Sequence, residues 1–123
     1  MSTSAHQRKQ AERRGRWAEH FATMILRLKG YKIHAQRTRT PFGEIDIIAT
    51  KRNILAIVEV KRRANMQLAH DALSTTNIRR IEQAVDYLLA NETWTRDKDI
   101  RFDAFFVFPR GRFQHLKDAW RSY

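Results

Sequence analysis

The chain has 123 residues, 24 Lys and Arg against 13 Asp and Glu, a formal net charge of +11 and no cysteine. That length suits one compact domain. The missing thiols exclude disulfides, thiolate zinc sites and cysteine nucleophiles, and the charge favours a polyanionic partner, nucleic acid before anionic membrane. No apolar run approaches the roughly 18–20 residues of a membrane span. The basic start, MSTSAHQRKQAERRGR, lacks the apolar stretch of a secretory signal, so a cytoplasmic protein is expected. The cations recur along the chain, at Arg13, Arg14 and Arg16, then Arg37 and Arg39, Lys61 to Arg63, Arg79 and Arg80, and Arg110 and Arg112. That spread suits a folded surface better than a disordered arm.

Residues 1–10 are expected to be a flexible basic N-terminus, ahead of a single domain over 11–123. A helix is predicted over about 11–29, where Trp17, Phe21, Met24, Ile25 and Leu28 fall on one face and Gly30 supplies the C-cap. YKIHAQR, 31–37, reads as a first strand, and TPFG, 40–43, as a turn. Residues 44–50 and 54–61 are Ile- and Val-rich strands joined tightly by Lys51, Arg52 and Asn53. RANMQLAHDALS, 63–74, shows no clear period and reads as loop. A second helix follows over about 76–90, with Ile78, Ile81, Val85, Leu88 and Leu89 on one face. IRFDAFFVF, 100–108, is strongly β, Pro109 and Gly111 break it, and RFQHL suggests a short last strand before a helical turn at Lys117–Trp120. The order predicts a mixed α/β sheet flanked by helices.

The two hairpin strands carry acids where apolar residues would be expected. Strand alternation puts Glu44, Asp46 and Ile48 on one face and Ile45, Ile47 and Ala49 on the other. In the next strand Leu55, Ile57, Glu59 and Lys61 share a face. A two-residue turn at Arg52-Asn53 sets Asp46 opposite Glu59 and Glu44 opposite Lys61. A turn one residue earlier sets Asp46 opposite Ile57, with Glu59 diagonal to it. Either register gathers two carboxylates and an ammonium within side-chain reach. Two adjacent, half-buried carboxylates do not both ionise near neutral pH without compensation. A divalent cation supplies it; Mg²⁺ takes one or two carboxylates, waters and phosphate oxygens. The competing reading is a surface salt-bridge cluster in which Lys61 bridges the pair.

Asp46, a spacer of twelve, then Glu59-Val60-Lys61 resembles the PD-(D/E)xK nuclease signature, although Pro41 does not directly precede Asp46. More broadly, residues 12–120 resemble the YraN-like family of uncharacterised bacterial proteins, which are similar to archaeal Holliday-junction resolvases and share the restriction-endonuclease-like fold. The matching pieces are Gly15 with Ala18-Glu19, Gly30-Tyr31, Gly43-Glu44-Ile45-Asp46, Val58-Glu59-Val60-Lys61 with Arg63, and IRRIEQAVDYLL and RFDAFFVF further on. One departure is Asn77, where the family often has a lysine.

The resemblance implies that Asp46, Glu59 and the Val60 carbonyl hold Mg²⁺, with Mn²⁺ as a substitute. Lys61 would orient or deprotonate the attacking water, and Glu19 would be an outer ligand or hold a metal-bound water. On a helical wheel Glu19 lies at the edge of the apolar arc, beside Leu26, so it could reach over a sheet end. Glu44 would be a supporting acid or a partner for Lys61. The implied activity is Mg²⁺-dependent hydrolysis of DNA phosphodiesters, in branched or structured DNA, by a homodimer. Arg16, Arg39, Arg63, Arg79 and Arg80 are the expected nucleic-acid contacts, made to phosphate rather than to bases.

Asp103 is expected to be structural, paired with Arg101. The five histidines show no zinc spacing, and there is neither a P-loop nor GxGxxG. Trp17, Phe21 and Phe105–Phe108 read as core; Trp94 and Trp120 lie among polar residues, where either base stacking or simple packing is open to them. Two other functions compete: a nucleic-acid-binding module with little or no catalysis, and a basic adaptor for an acidic protein or a membrane.

Overall fold

The computed structural model describes residues 3–120, with side chains described for residues 5, 7 and 15–120. Its centre is the hairpin of β2 (Gly43–Lys51) and β3 (Ile54–Arg62). Lys51 pairs with Ile54, so Arg52 and Asn53 form a two-residue turn, and Arg52 takes the positive φ, 54°, that such a tight turn requires. β1 (Lys32–Thr40) and β4 (Asp99–Val107) flank the hairpin, and β5 (Phe113–Leu116) ends the sheet, in the order β1-β2-β3-β4-β5. Every pairing is antiparallel except β3 with β4. A parallel pair needs a long crossover, and α2 (Met66–Thr75) and α3 (Ile78–Asn91) supply it.

The helices form two layers. On one face α1 (Thr3–Leu28) packs Ala18, Ala22 and Leu26 against Ile47, Ala49, Ala56, Val58, Phe105 and Val107. On the other, α3 packs Ile81, Ala84, Val85 and Leu88 on Ile48, Leu55 and Ile57, and α2 packs Ala69 and Ala72 on Ala104 and Phe106. No helix among the described residues is long and apolar enough to cross a membrane.

Several expectations need correction. α1 begins at Thr3 rather than near residue 11, and residues 1 and 2 lie outside the described residues. Its buried seam is the small-residue line Ala18-Ala22-Leu26, whereas Trp17, Met24 and Leu28 are 53, 50 and 78 % exposed. Alanines let the helix axis approach the sheet, and the bulkier residues are rotated outward. The stretch read as loop contains α2, which starts where the Asn65 side chain caps the Leu68 N–H at 3.0 Å. Its inward face is mostly alanine, a weak periodic signal. Lys117–Trp120 forms turns rather than helix, with Asp118 in the left-handed region at φ 57°. β1 runs on to Thr40, and α3 carries the predicted apolar face.

Asp103 is wholly buried and structural, as expected. Its carboxylate accepts two hydrogen bonds of 2.8 Å from Arg101, one of 2.8 Å from His115 Nε2 and one of 3.0 Å from the Asp118 N–H. Arg101 also donates to the Tyr31 hydroxyl at 2.6 Å. Burial alone would raise the Asp103 pKa, but the bonds from His115 and Arg101 outweigh it and hold the carboxyl below its ordinary range. Replacing Asp103 by Ala leaves the Arg101 charge facing a buried gap, so Asp103→Ala is expected to cost about 3–5 kcal/mol in urea unfolding. A cost under about 1 kcal/mol, the level of an exposed pair, would mean that the network does not hold β4, β5 and the chain after α1 together.

Candidate active site at the open end of the hairpin

The β2–β3 ladder takes the first of the two expected registers but stops at Ile47 with Val58. By antiparallel alternation the next inward-pointing N–H on β3 belongs to Val60. It donates instead to the Asp46 carboxylate, Oδ2, at 2.8 Å. A side chain thus occupies the slot where main chain would have paired, and the strands part around it. By the same alternation the Val60 carbonyl lies on the same edge as its N–H.

The opposite edge of β2 is disturbed at the same point. Gln36 pairs with Ile47 and Thr38 with Ile45, but Arg37 and Asp46 are skipped, and Arg37 takes φ 53°. Simple alternation therefore fails here. Ile45 does not share a face with Ile47 and Ala49; it joins Ile48, Leu55 and Ile57 under α3. The switch lets Ile45 and Ile47 both be buried while Asp46 turns along the sheet towards β3.

Three carboxylates converge on this point. Asp46 is half-buried, and its pKa is pushed up to about 7, first by burial and then by the charge of Glu59, with a smaller push from Glu19; the Val60 N–H and Lys61 pull it down. Burial also raises Glu59, and Glu19 adds to that, against the pull of Lys61 and Arg80. Glu19, on α1, accepts from Arg37 Nε at 2.6 Å and its side chain is 14 % exposed. Arg80, in the first turn of α3, lies 3.8 Å from Glu59. Lys61 makes no ion pair within 4 Å among the described residues, so it does not bridge the two acids as the salt-bridge reading required. Its charge nevertheless acts on both Asp46 and Glu59.

Among the described residues no three His, Asp or Glu side chains are close enough to cage a metal unaided. The donor set is smaller: two carboxylates, Asp46 and Glu59, plus main-chain oxygen. That set fits a hard divalent cation that keeps waters or phosphate oxygens, and the raised pKa values of both acids mark a place where added positive charge would be favourable. Glu44 takes no part. It pairs with Arg39 at 3.5 Å, in the open, because its β1 partner is Arg39 and the β2–β3 ladder has already ended.

Arg80 is closer to the acids than a peripheral phosphate contact would be. Gly43 lies beneath it: a Cβ there would stand 2.5 Å from Arg80 Nη1, and Gly43 has φ +123°. The departure at residue 77 also gains a role, since the Asn77 side chain caps α3 by accepting from the Arg80 N–H at 3.2 Å. Arg16, Arg39 and Arg79 are exposed and Arg63 is half-buried. Topology puts Arg39, Arg63, Arg79 and Arg80 at the sheet end that carries the acids, together with the positive N-termini of α2 and α3. Trp94 stacks on His34 beyond the far end of α3, with centroids 4.4 Å apart, and Trp120 bonds to the Leu73 carbonyl. Neither is at the acidic end.

Two outcomes follow from this geometry. Asp46 binds its proton more tightly folded than unfolded, so it favours folding at acid pH, and that contribution is lost as pH rises through about 7. Without divalent cations, Asp46→Asn should therefore melt higher than the wild type at about pH 8, since the amide oxygen can still accept from Val60, with the gain shrinking towards about pH 5. A variant that melts lower by the same margin at both pH values contradicts this. At Gly43, Gly43→Ala meets a φ that costs about 1–3 kcal/mol and displaces Arg80. Denaturant unfolding should show that loss, and an unchanged midpoint would contradict it.

The family model for the Uncharacterised protein family UPF0102 matches residues 18–107. A UPF0102 protein of Parvibaculum lavamentivorans is 44 % identical over 111 residues, covering 90 % of this chain and 84 % of the relative. A UPF0102 protein of Agrobacterium fabrum is 44 % identical over 116 residues, covering 94 % and 95 %. One from Brucella canis is 43 % identical over 103 residues, covering 84 % and 82 %. The matched span runs from the buried seam of α1 to the end of β4 and takes in Glu19, Asp46, Glu59 and Lys61, and on these matches the chain belongs to the Uncharacterised protein family UPF0102.

Proposed function

We propose that this chain is a Mg²⁺-dependent endonuclease of the PD-(D/E)xK type that hydrolyses DNA phosphodiester bonds. The observation that carries the reading is the fork at Asp46. One carboxylate from each hairpin strand, Asp46 and Glu59, is brought to the same half-buried place, and both are held above their ordinary pKa range. Asp46, Glu59 and the Val60 carbonyl would hold the cation, with Glu19 behind them orienting a bound water. When bound, the cation would lower the pKa of that water and stabilise charge on the phosphate oxygens. Lys61 stands near both acids without an ion pair and is placed to take a proton from the water or to meet phosphate charge. Arg80 would move from Glu59 to the phosphate once a cation neutralises Glu59. Arg16, Arg39, Arg63 and Arg79 would hold the flanking backbone without reading sequence. A cytoplasmic homodimer acting on branched or structured DNA is the natural form of this reading, since cutting both strands of a junction needs two such sites.

A second reading is favoured by the 3.8 Å pairing of Arg80 with Glu59 and by the engagement of Glu19, the third acid, with Arg37, which leaves no three acids arranged to cage a metal among the described residues. In it, the chain binds nucleic acid but cleaves slowly or not at all. The two separate when purified protein is incubated with supercoiled, single-stranded and four-way-junction DNA in Mg²⁺ or Mn²⁺. The nuclease reading predicts metal-dependent cleavage that Asp46→Ala and Lys61→Ala each reduce at least about a hundredfold, the usual scale for losing a group that acts in proton transfer. Salt-sensitive binding without cleavage leaves the second reading, and cleavage that survives both substitutions removes the first.

A further inference from the structure

The same end of the sheet carries two openings on either side of the carboxylates. One is a polar groove of about 380 Å³ between α1 and the β1–β2 turn, where Arg16, Arg37 and Arg39 meet Glu19 and Glu44. The other is a larger, mainly apolar cavity of about 630 Å³, lined by Ala64, Asn65, Met66, Phe108, Arg112 and Phe113. Like the polar groove it is open to solvent, and its volume is in the range of sites that accept small organic groups. Ala64 follows Lys61 by three residues, so their Cα atoms are at most about 11 Å apart, a short reach along a nucleic-acid strand.

An aromatic run joins the two openings. Phe113 meets Phe21 edge-to-face at 5.7 Å, and Phe21 stacks on Trp17 at 5.5 Å. Trp17 adjoins Arg16 of the polar groove. The inner member is held by the core, since Phe105 stacks on Phe113 at 5.5 Å, yet Trp17 and Phe113 stay 53 and 42 % exposed. Exposed rings on a rigid base, set between arginines, are what proteins use to track an unpaired strand. A fully paired duplex keeps its bases stacked and has nothing to offer the cavity. Asn65 adds a donor: its side-chain oxygen caps Leu68, while its amide nitrogen has no partner among the described residues.

We propose that the cavity between Asn65, Met66, Arg112 and Phe113 binds one unpaired nucleobase of a DNA strand whose backbone crosses the neighbouring carboxylates. The base stacks on Phe113 and the Arg112 guanidinium, and Asn65 donates to its edge. This selects DNA with an extrahelical or single-stranded nucleotide beside the reactive phosphate. The inference rests on the preceding one for its ligand, DNA, but not on catalysis.

Binding of two labelled duplexes tests it, one carrying a single extrahelical adenine and the other the fully paired duplex of the same sequence. Anisotropy is read with Ca²⁺ in place of Mg²⁺ and at low salt. The wild type should bind the bulged duplex about tenfold or more tighter, on the scale of one stacked base. Arg112→Ala and Phe113→Leu should each bring that ratio close to one; leucine keeps the apolar contact with Phe105 and removes the ring. Equal wild-type affinities, or a preference that survives both variants, overturn the pocket while leaving DNA binding in place. Failure to bind either duplex overturns both this inference and the DNA reading beneath it.

Discussion

One hydrogen bond organises the candidate site: the Val60 N–H given to the Asp46 carboxylate rather than to a main-chain carbonyl. Because it is made, the β2–β3 ladder ends at Val58 and the hairpin opens. Because it opens at that point, Asp46 is turned along the sheet instead of to one face, and Glu59 and Lys61, on the next strand, are left at the mouth. The bond also lowers the cost of placing an acid among apolar residues, though burial and Glu59 still dominate and raise its pKa. The site is therefore not attached to the sheet; it is the place where the sheet stops pairing.

The surrounding residues make that opening durable. On one side Arg37 accepts a left-handed conformation and is held by Glu19 from α1. On the other Arg80, positioned by the Asn77 cap of α3, leans over Gly43 towards Glu59. Both faces of the sheet thus send a charged side chain to the same place. In the middle of β4, where Asp103 lies opposite Val58, the Asp103 network ties β4 and β5 to the chain that follows α1. The open end of the hairpin is thus shaped by charge, while the strands beside it are held by a fully satisfied buried carboxylate.

Much of this was legible in the residues. The turn at Lys51-Arg52-Asn53 narrows the hairpin to two registers, of which the structure takes the one with a two-residue turn, the Ile and Val runs mark β2, β3 and β4, and the spacing from Asp46 to Glu59 and Lys61 points to one cluster in either register. What escaped had weak local signals. Alanines carry little hydrophobic periodicity, so periodicity alone puts the α1 seam one face over, towards Trp17 and Leu28, and gives no helix for α2, whose inward face is Ala69 and Ala72. Nothing in the letters around Arg37 announces its positive φ, and nothing around Ile45 announces its move from one core to the other. An ideal ladder with the two-residue turn sets Glu44 against Lys61, but the β2–β3 pairing ends at Ile47 and Val58, before that point. The reach of Arg80 to Glu59 depends on the crossover between β3 and β4, a relation of tertiary structure alone that the local sequence does not carry.

The proposed chemistry requires a single cation site between Asp46 and Glu59. The direct measurement is a Mn²⁺ titration of ¹⁵N-labelled protein, following paramagnetic broadening of the backbone amides. The amides of residues 45–47 and 58–61 should broaden first and together, at substoichiometric Mn²⁺, and Asp46→Asn should remove that selectivity. Broadening that begins elsewhere, or that is uniform over the exposed acids and unchanged by the substitution, would show that the open end of the hairpin does not hold a metal ion.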